Sequence, residues 1–492
     1  MVPLRDALVV ALSQLLVIVA VHGQCEVAQL SVSEPVDYGR SIAISGETAV
    51  VGDSRFPEAG RVHLFRFFVD EWQATQILTA PVPEPADRFG DSIALADDLL
   101  IVGSPGAAMP ELNRGAAYIF RRIGDEWTFE SYLVARDGGA GHFFGTSVAT
   151  DGFRVLIGAW KAEDMRGRRT GAAYSFIRDS GSWMLEAKLL DPVGAEDDLF
   201  GVAVSLSGHT AVIGAHGFDG TASNSGKALV FTRTRSRRWE LESELRASDP
   251  DTSDQFGRAV SINGNVAAVG ALQEDDPGAN SGAAYVFRRS RSGWSEEQKL
   301  EAADASPVAF LGRSISLSDD GNTVLIGASG DSEGAFEAGA VYVFRHNSER
   351  WHEDTKIIAM QASAGAHFGT SVSTSGNLAL VGSPGSIGEA SVISGVLNVD
   401  CNRNDEPDSC DIFDGVSMDR DGDGVPDECR ISADLDGDGV VGFSDLLLLL
   451  TRWGICGVPC PPTCTADFNR DCEVGFWDLL FLLGEWSRVH SP

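Results

Sequence analysis

From residue 38 to about residue 399, apolar and polar positions alternate in short runs bounded by turn residues such as Asp151-Gly152, Gly208, Asn263-Gly264 and Gly321-Asn322. Alternation with a period of two marks half-buried strands, and glycine or asparagine at the bounds supplies the backbone freedom of tight turns. The runs belong to a larger repeat. Each unit opens on an aromatic-Gly pair: Tyr38-Gly39, Phe89-Gly90, Phe144-Gly145, Phe200-Gly201, Phe256-Gly257 and Phe368-Gly369, with an irregular copy at Phe310-Leu311-Gly312. An apolar-Gly step follows at Val51-Gly52, Val102-Gly103, Ile157-Gly158, Ile213-Gly214, Val269-Gly270, Ile326-Gly327 and Val381-Gly382. There are seven units, with aromatic residues 51 to 58 positions apart.

Two further segments complete a unit. One runs from glycine to phenylalanine, as in Gly60 to Phe65 and Gly171 to Phe176. The other carries Trp72, Trp127, Trp183, Trp239, Trp294 or Trp351, each 18 positions before the next opening glycine. Four short strands per repeat of this length predict a four-stranded antiparallel blade, and seven repeats predict an all-β, seven-bladed β-propeller. The recurring aromatics are expected to pack between blades. The seventh unit lacks a tryptophan strand, so the segment Glu26 to Val32, ahead of the first unit, is expected to close the ring.

The units resemble FG-GAP repeats, which build the integrin α-subunit head, and Val102 to Pro105 and Val381 to Pro384 match the second name-giving motif. The resemblance covers residues 25 to about 399 and implies a recognition platform. Integrin blades often carry an Asp-x-Asp-x-Asp-Gly calcium loop between their first two strands. Those turns are only two to four residues long here, so no calcium site is transferred to the blades.

A net charge of −33 argues against nucleic acid as a partner, because neutralising phosphates takes clustered Lys and Arg. Met1 to Arg5 followed by the apolar run Ala7 to Val21 reads as a signal peptide over 1–23, cut after Gly23. That run is shorter than the roughly 20 residues of a membrane-spanning helix, so no transmembrane segment is expected after cleavage. The chain is read as secreted or held at the cell surface. Gln24 before Cys25 does not suit a lipidation signal. Seven of the eight cysteines lie between Cys401 and Cys472, and export with an even count predicts disulfides of undetermined pairing.

Composition shifts after Val399. Residues 400–492 hold 16 Asp and 4 Glu against 6 Arg and no Lys. Aspartates at every second position suit a hard cation, because a tight loop turns alternate side chains inward around it. Asp434, Asp436, Asp438 and Asp445, with the Val440 carbonyl, occupy positions 1, 3, 5, 12 and 7 of an EF-hand-like calcium loop, and the run Leu446 to Leu450 then begins a helix. Asp467, Asn469, Asp471 and Asp478, with Glu473 at the backbone position, repeat the pattern 33 residues later, except that Cys472 replaces the position-6 glycine. The pair (431–492) resembles a dockerin, which implies a cohesin-like partner. Phe443-Ser444 and Phe476-Trp477 depart from the usual small polar recognition pair. Upstream (400–430), Asp400, Asn402, Asn404 and Asp408, then Asp419, Asp421, Asp423 and Asp427, resemble thrombospondin type 3 repeats, in which calcium and disulfides replace a hydrophobic core.

No catalytic set stands out. His142, His209, His216, His352 and His367 occupy unlike positions in their units, and neither a Gly-x-Ser-x-Gly elbow nor a His-Glu-x-x-His pair occurs. The chain is therefore read as a calcium-binding adhesion or ligand-binding protein, not an enzyme. Its alternatives are a component of a polysaccharide-degrading system and an architectural envelope protein. A protein or glycan ligand is expected on the face where the inter-blade loops and the loops between second and third strands gather. Asp197-Asp198, Asp249, Asp251, Asp254, Glu274-Asp275-Asp276, Asp331 and Glu333 make that rim acidic.

Overall fold

The computed structural model describes residues 25–395, apart from 33–34, 56–58, 69–70, 109–112, 348 and 386–387, together with 443–455, 466, 473–476, 479 and 482. Seven four-stranded antiparallel sheets form the propeller. In blade 1, Tyr38–Ser45 (β2), Thr48–Asp53 (β3), Arg61–Phe68 (β4) and Glu71–Leu78 (β5) pair in sequence order. Blades 2 to 6 repeat that order. First strands of neighbouring blades touch each other around the whole ring, so they are the innermost.

Burial follows the blade from inside to outside. Second strands are buried at nearly every position, as in Thr48–Asp53, Leu99–Ser104 and Val266–Ala271, whereas fourth strands expose much of their length. The core is a series of inter-blade layers, not one central mass. Phe89 packs edge-on against Tyr118 and Phe120, and Phe144 repeats the arrangement with Tyr174 and Phe176. Tryptophans join neighbouring blades by hydrogen bonds as well. The Gln76 side chain pairs with both the N–H and the carbonyl of Trp127, at 2.8 and 2.9 Å, and Gln298 does the same to Trp351. The indole N–H groups of Trp183, Trp239 and Trp351 donate to Glu130, Glu186 and Glu297 on the preceding blade.

Two glycines per unit set the blade spacing. The opening glycine has a left-handed backbone, with φ of 91° at Gly257. The Gly214 backbone lies against the Gly257 carbonyl of the next blade, leaving no room for a Cβ, and the same approach recurs around the ring to Gly382 against Gly39. Serines reinforce it: Ser92, Ser147, Ser314 and Ser371 donate to the opening-glycine carbonyl of the following blade at 2.8–2.9 Å.

Blade 7 is built differently. Its chain supplies Ser371–Ser375, Leu378–Ser383 and Glu389–Ser394, and the outer strand is Cys25–Leu30 (β1), antiparallel to Glu389–Ser394. The closing strand thus sits one to two residues nearer the N-terminus than Glu26 to Val32. Leu30, 2% exposed, packs in a layer with Leu380, Ala390 and Val392. The irregular sixth unit also resolves. Leu311, 1% exposed, bridges to Gly282 where the other units place their aromatic, and Phe310 takes the preceding turn position.

The C-terminal part is a separate compact unit. Its helix Phe443–Thr451 (α1) starts three residues before the Leu446 run, and Gly454–Ile455 pairs antiparallel with Glu473–Val474. The signal-peptide residues 1–23 lie outside the described residues.

Candidate functional site

Each blade after the first is entered through a strained turn. Arg88, Phe143, Leu199, Gln255, Phe310 and His367, the residues just before the buried aromatic or its leucine equivalent, all have φ between 56° and 61°. A non-glycine residue there costs about 1 kcal/mol or more, so something must hold the turn. In three turns an aspartate does. Asp87 accepts the Glu84 N–H at 2.9 Å, Asp198 that of Ala195 at 2.7 Å, and Asp254 that of Asp251 at 2.5 Å. His142 accepts from Gly139 in the same way. Burial raises the pKa of all three aspartates above the usual range.

Asp198 and Asp254 are therefore turn caps, not members of an open acidic rim. Most of the other rim carboxylates are engaged too. Asp249 accepts from the Tyr285 phenol at 2.7 Å and from Lys299 at 2.9 Å, and Lys299 also holds Glu274. Asp331 and Glu333 both meet Lys356, which also binds Asp304 at 2.7 Å. Asp275 accepts the Asn280 N–H. Among the described residues no cluster of three or more His, Cys, Asp or Glu is arranged to hold a metal ion.

What the same face gathers instead is cationic. The residue that follows each opening glycine is Arg40, Asp91, Thr146, Val202, Arg258, Arg313 or Thr370, and all seven line one cavity of about 410 Å³. One residue comes from each blade, so the cavity lies on the propeller axis. A second cavity, of about 570 Å³, shares Arg40, Arg258, Arg313 and Thr370. Arg88 is matched by Asp91 at 2.6 Å, and Arg40 stands 3.7 Å from Asp37. Neither Arg258 nor Arg313 has a carboxylate within salt-bridge distance among the described residues. Burial, followed by the charges of Arg313 and Arg40, pushes the Arg258 guanidinium down to about 10, against the pull of Asp91. Burial and Arg40 lower Arg313 as well. His216 lines the same cavity, and burial with Arg258 nearby brings its pKa to about 4, leaving the ring neutral at physiological pH. Trp160, stacked on Phe143 at 5.3 Å, completes that wall.

The repeated residues do not disclose this ring, because it sits at a position the repeat does not fix. The signal was available in the register. Aligning the units on their glycine reads Arg, Asp, Thr, Val, Arg, Arg, Thr at the next position.

Of the proposed calcium ligands, Asp445 falls on α1 and the Glu473 backbone pairs with Ile455. Asp434, Asp436, Asp438, Val440, Asp467, Asn469, Asp471 and Asp478 lie outside the described residues. So do all those proposed between Asp400 and Asp427.

A family model described as FG-GAP repeat matches residues 72–120, 127–176, 183–231, 239–287, 294–344 and 351–395. Each match begins at a tryptophan strand and runs through the first three strands of the next blade, so the sequence unit is offset by one strand from the structural one. No curated protein matches the chain.

Proposed function

The chain belongs to the FG-GAP repeat family, and from that membership we propose that it is an exported recognition protein. Its propeller captures a protein or glycan ligand on the loop-bearing face, and its calcium-loop tail attaches it to a partner or a surface. FG-GAP propellers commonly serve as ligand-binding or adhesion platforms, are typically non-catalytic, and are commonly extracellular or surface-held. No helix among the described residues is long and apolar enough to cross a membrane.

The observation that carries this reading is the axial cavity to which every blade contributes one side chain from the same repeat position. Pockets of roughly 300–1,000 Å³ suit small ligands or ligand side groups. Support for the tail comes from the spacing of its aspartates, which would repel one another without a cation between them.

Full-length protein applied to glycan and matrix-protein arrays tests the platform. Capture is the expected result, turnover of an arrayed polysaccharide would place the chain in a degrading system, and silence on both arrays would leave an architectural role. Limited proteolysis tests the tail. Residues 400–492 should resist protease in calcium and be cut rapidly after chelation, with the propeller fragment surviving in both. Equal resistance with and without chelator would overturn the calcium reading.

A further inference from the structure

We propose that Arg40, Arg258 and Arg313 form an oxyanion-binding cup on the propeller axis, which takes a carboxylate or sulfate group of an acidic ligand. The inference rests on the recognition reading and narrows its ligand class.

The fold does not require these arginines. Blades 3, 4 and 7 place Thr146, Val202 and Thr370 at the same position, each donating its N–H to the carbonyl three residues earlier as Arg258 and Arg313 do, so an uncharged residue satisfies that turn. Blades 1, 5 and 6 instead bring three guanidinium groups to one cavity, in a chain whose net charge is −33. Acidic residues are therefore abundant, yet Arg258 and Arg313 have none at salt-bridge distance among the described residues, whereas the third-strand arginines Arg121, Arg288 and Arg345 each meet a carboxylate at 2.7–2.8 Å. Gathering like charges in a partly desolvated cavity destabilises the empty protein, and a bound anion reverses that cost.

The chemistry fits an oxyanion. Guanidinium groups present paired N–H donors that match the two oxygens of a carboxylate or two of a sulfate. Thr146 and Thr370 donate their hydroxyls to backbone carbonyls, at 2.8 and 2.7 Å, so they supply no competing donor. His216 is uncharged and leaves the arginines as the charge of the cup. Asp91 is tied to Arg88 at 2.6 Å, its pull on Arg258 is weaker than the push of Arg313 and Arg40, and among the described residues only Arg40 of the three has a carboxylate at salt-bridge distance, Asp37 at 3.7 Å.

The test uses full-length protein in a buffer free of multivalent anions, with inorganic sulfate, a uronic-acid hexasaccharide and a neutral hexasaccharide as probes. Calorimetry and melting temperature should both report binding of the acidic probes and not of the neutral one. Arg258→Gln and Arg313→Gln should each weaken that binding about ten- to a hundredfold, the span of one charge-assisted hydrogen bond. Without ligand the same variants should melt at the wild-type temperature or above it, because a repulsive charge has gone. Arg258→Lys, which keeps the charge and loses the fork, should fall between. Binding of sulfate without the acidic hexasaccharide supports the cup with a small free anion as occupant. No binding of either acidic probe, or equal binding by the Gln variants, overturns it. Array capture that survives both substitutions leaves the recognition reading standing and removes the cup, whereas arginine-dependent sulfate binding with silent arrays does the reverse.

Discussion

Deleting residues 24–33 lowers the melting temperature of the propeller sharply and makes the protein associate beyond its full-length state. The deletion removes β1, the strand that completes blade 7, and uncovers Glu389–Ser394 as an edge. Leu30 is 2% exposed, and losing one such side chain from a core costs about 2–5 kcal/mol. The ladder hydrogen bonds add roughly 0.5–1.5 kcal/mol each. An uncovered edge with apolar neighbours is a template for pairing with another chain. Thermal unfolding and light scattering read both effects. A truncation after Cys429 is the control, and it should leave the propeller transition unchanged. A deletion variant that associates no further than the full-length protein and keeps an undiminished transition would mean that three strands suffice in blade 7.

Gly214→Ala should be among the most damaging single substitutions in the chain, at a cost of about 3 kcal/mol or more. The added methyl would land on the Gly257 carbonyl group, and both partners are backbone of packed strands in adjacent blades. No side chain can swing aside, so the blades themselves have to separate. Gly208→Ala separates this effect from the loss of a glycine as such. Gly208 sits at φ 55° with nothing near its missing Cβ, so alanine there meets only the left-handed penalty of about 1 kcal/mol. Chemical denaturation of both variants would decide the matter, and equal losses would show that close approach does not set the blade spacing.

The fold was readable because its determinants recur. A residue fixed by packing between blades, such as Phe144, or by backbone approach, such as Gly158, faces the same neighbours in every unit and so appears at the same place each time. The strand deficit of the seventh unit was readable for the same reason, since six tryptophan strands cannot fill seven blades. Individual contacts were less legible. Phe310 looked like the sixth aromatic because composition alone does not distinguish it from Leu311, whereas the register places Leu311 in the inter-blade layer. The loop carboxylates read as a solvent-facing rim because their partners are remote in sequence: Asp249 meets Lys299, and Asp331 meets Lys356. The axial ring was hidden for a third reason. Its residues differ from blade to blade, as groups facing a cavity are free to do when packing does not constrain them.

The pairing of Cys25–Leu30 with Glu389–Ser394 also imposes an order in time. A chain made from its N-terminus produces β1 first and its partner about 360 residues later, because Leu30 lies opposite Ala390. At ribosomal rates of roughly 5–20 residues per second, that interval is tens of seconds. Throughout it β1 has no strand beside it, while each interior blade can form as soon as its own four strands are out. The molecule therefore grows as an open arc of finished blades with a single-stranded leading end, and it becomes a ring in one final event.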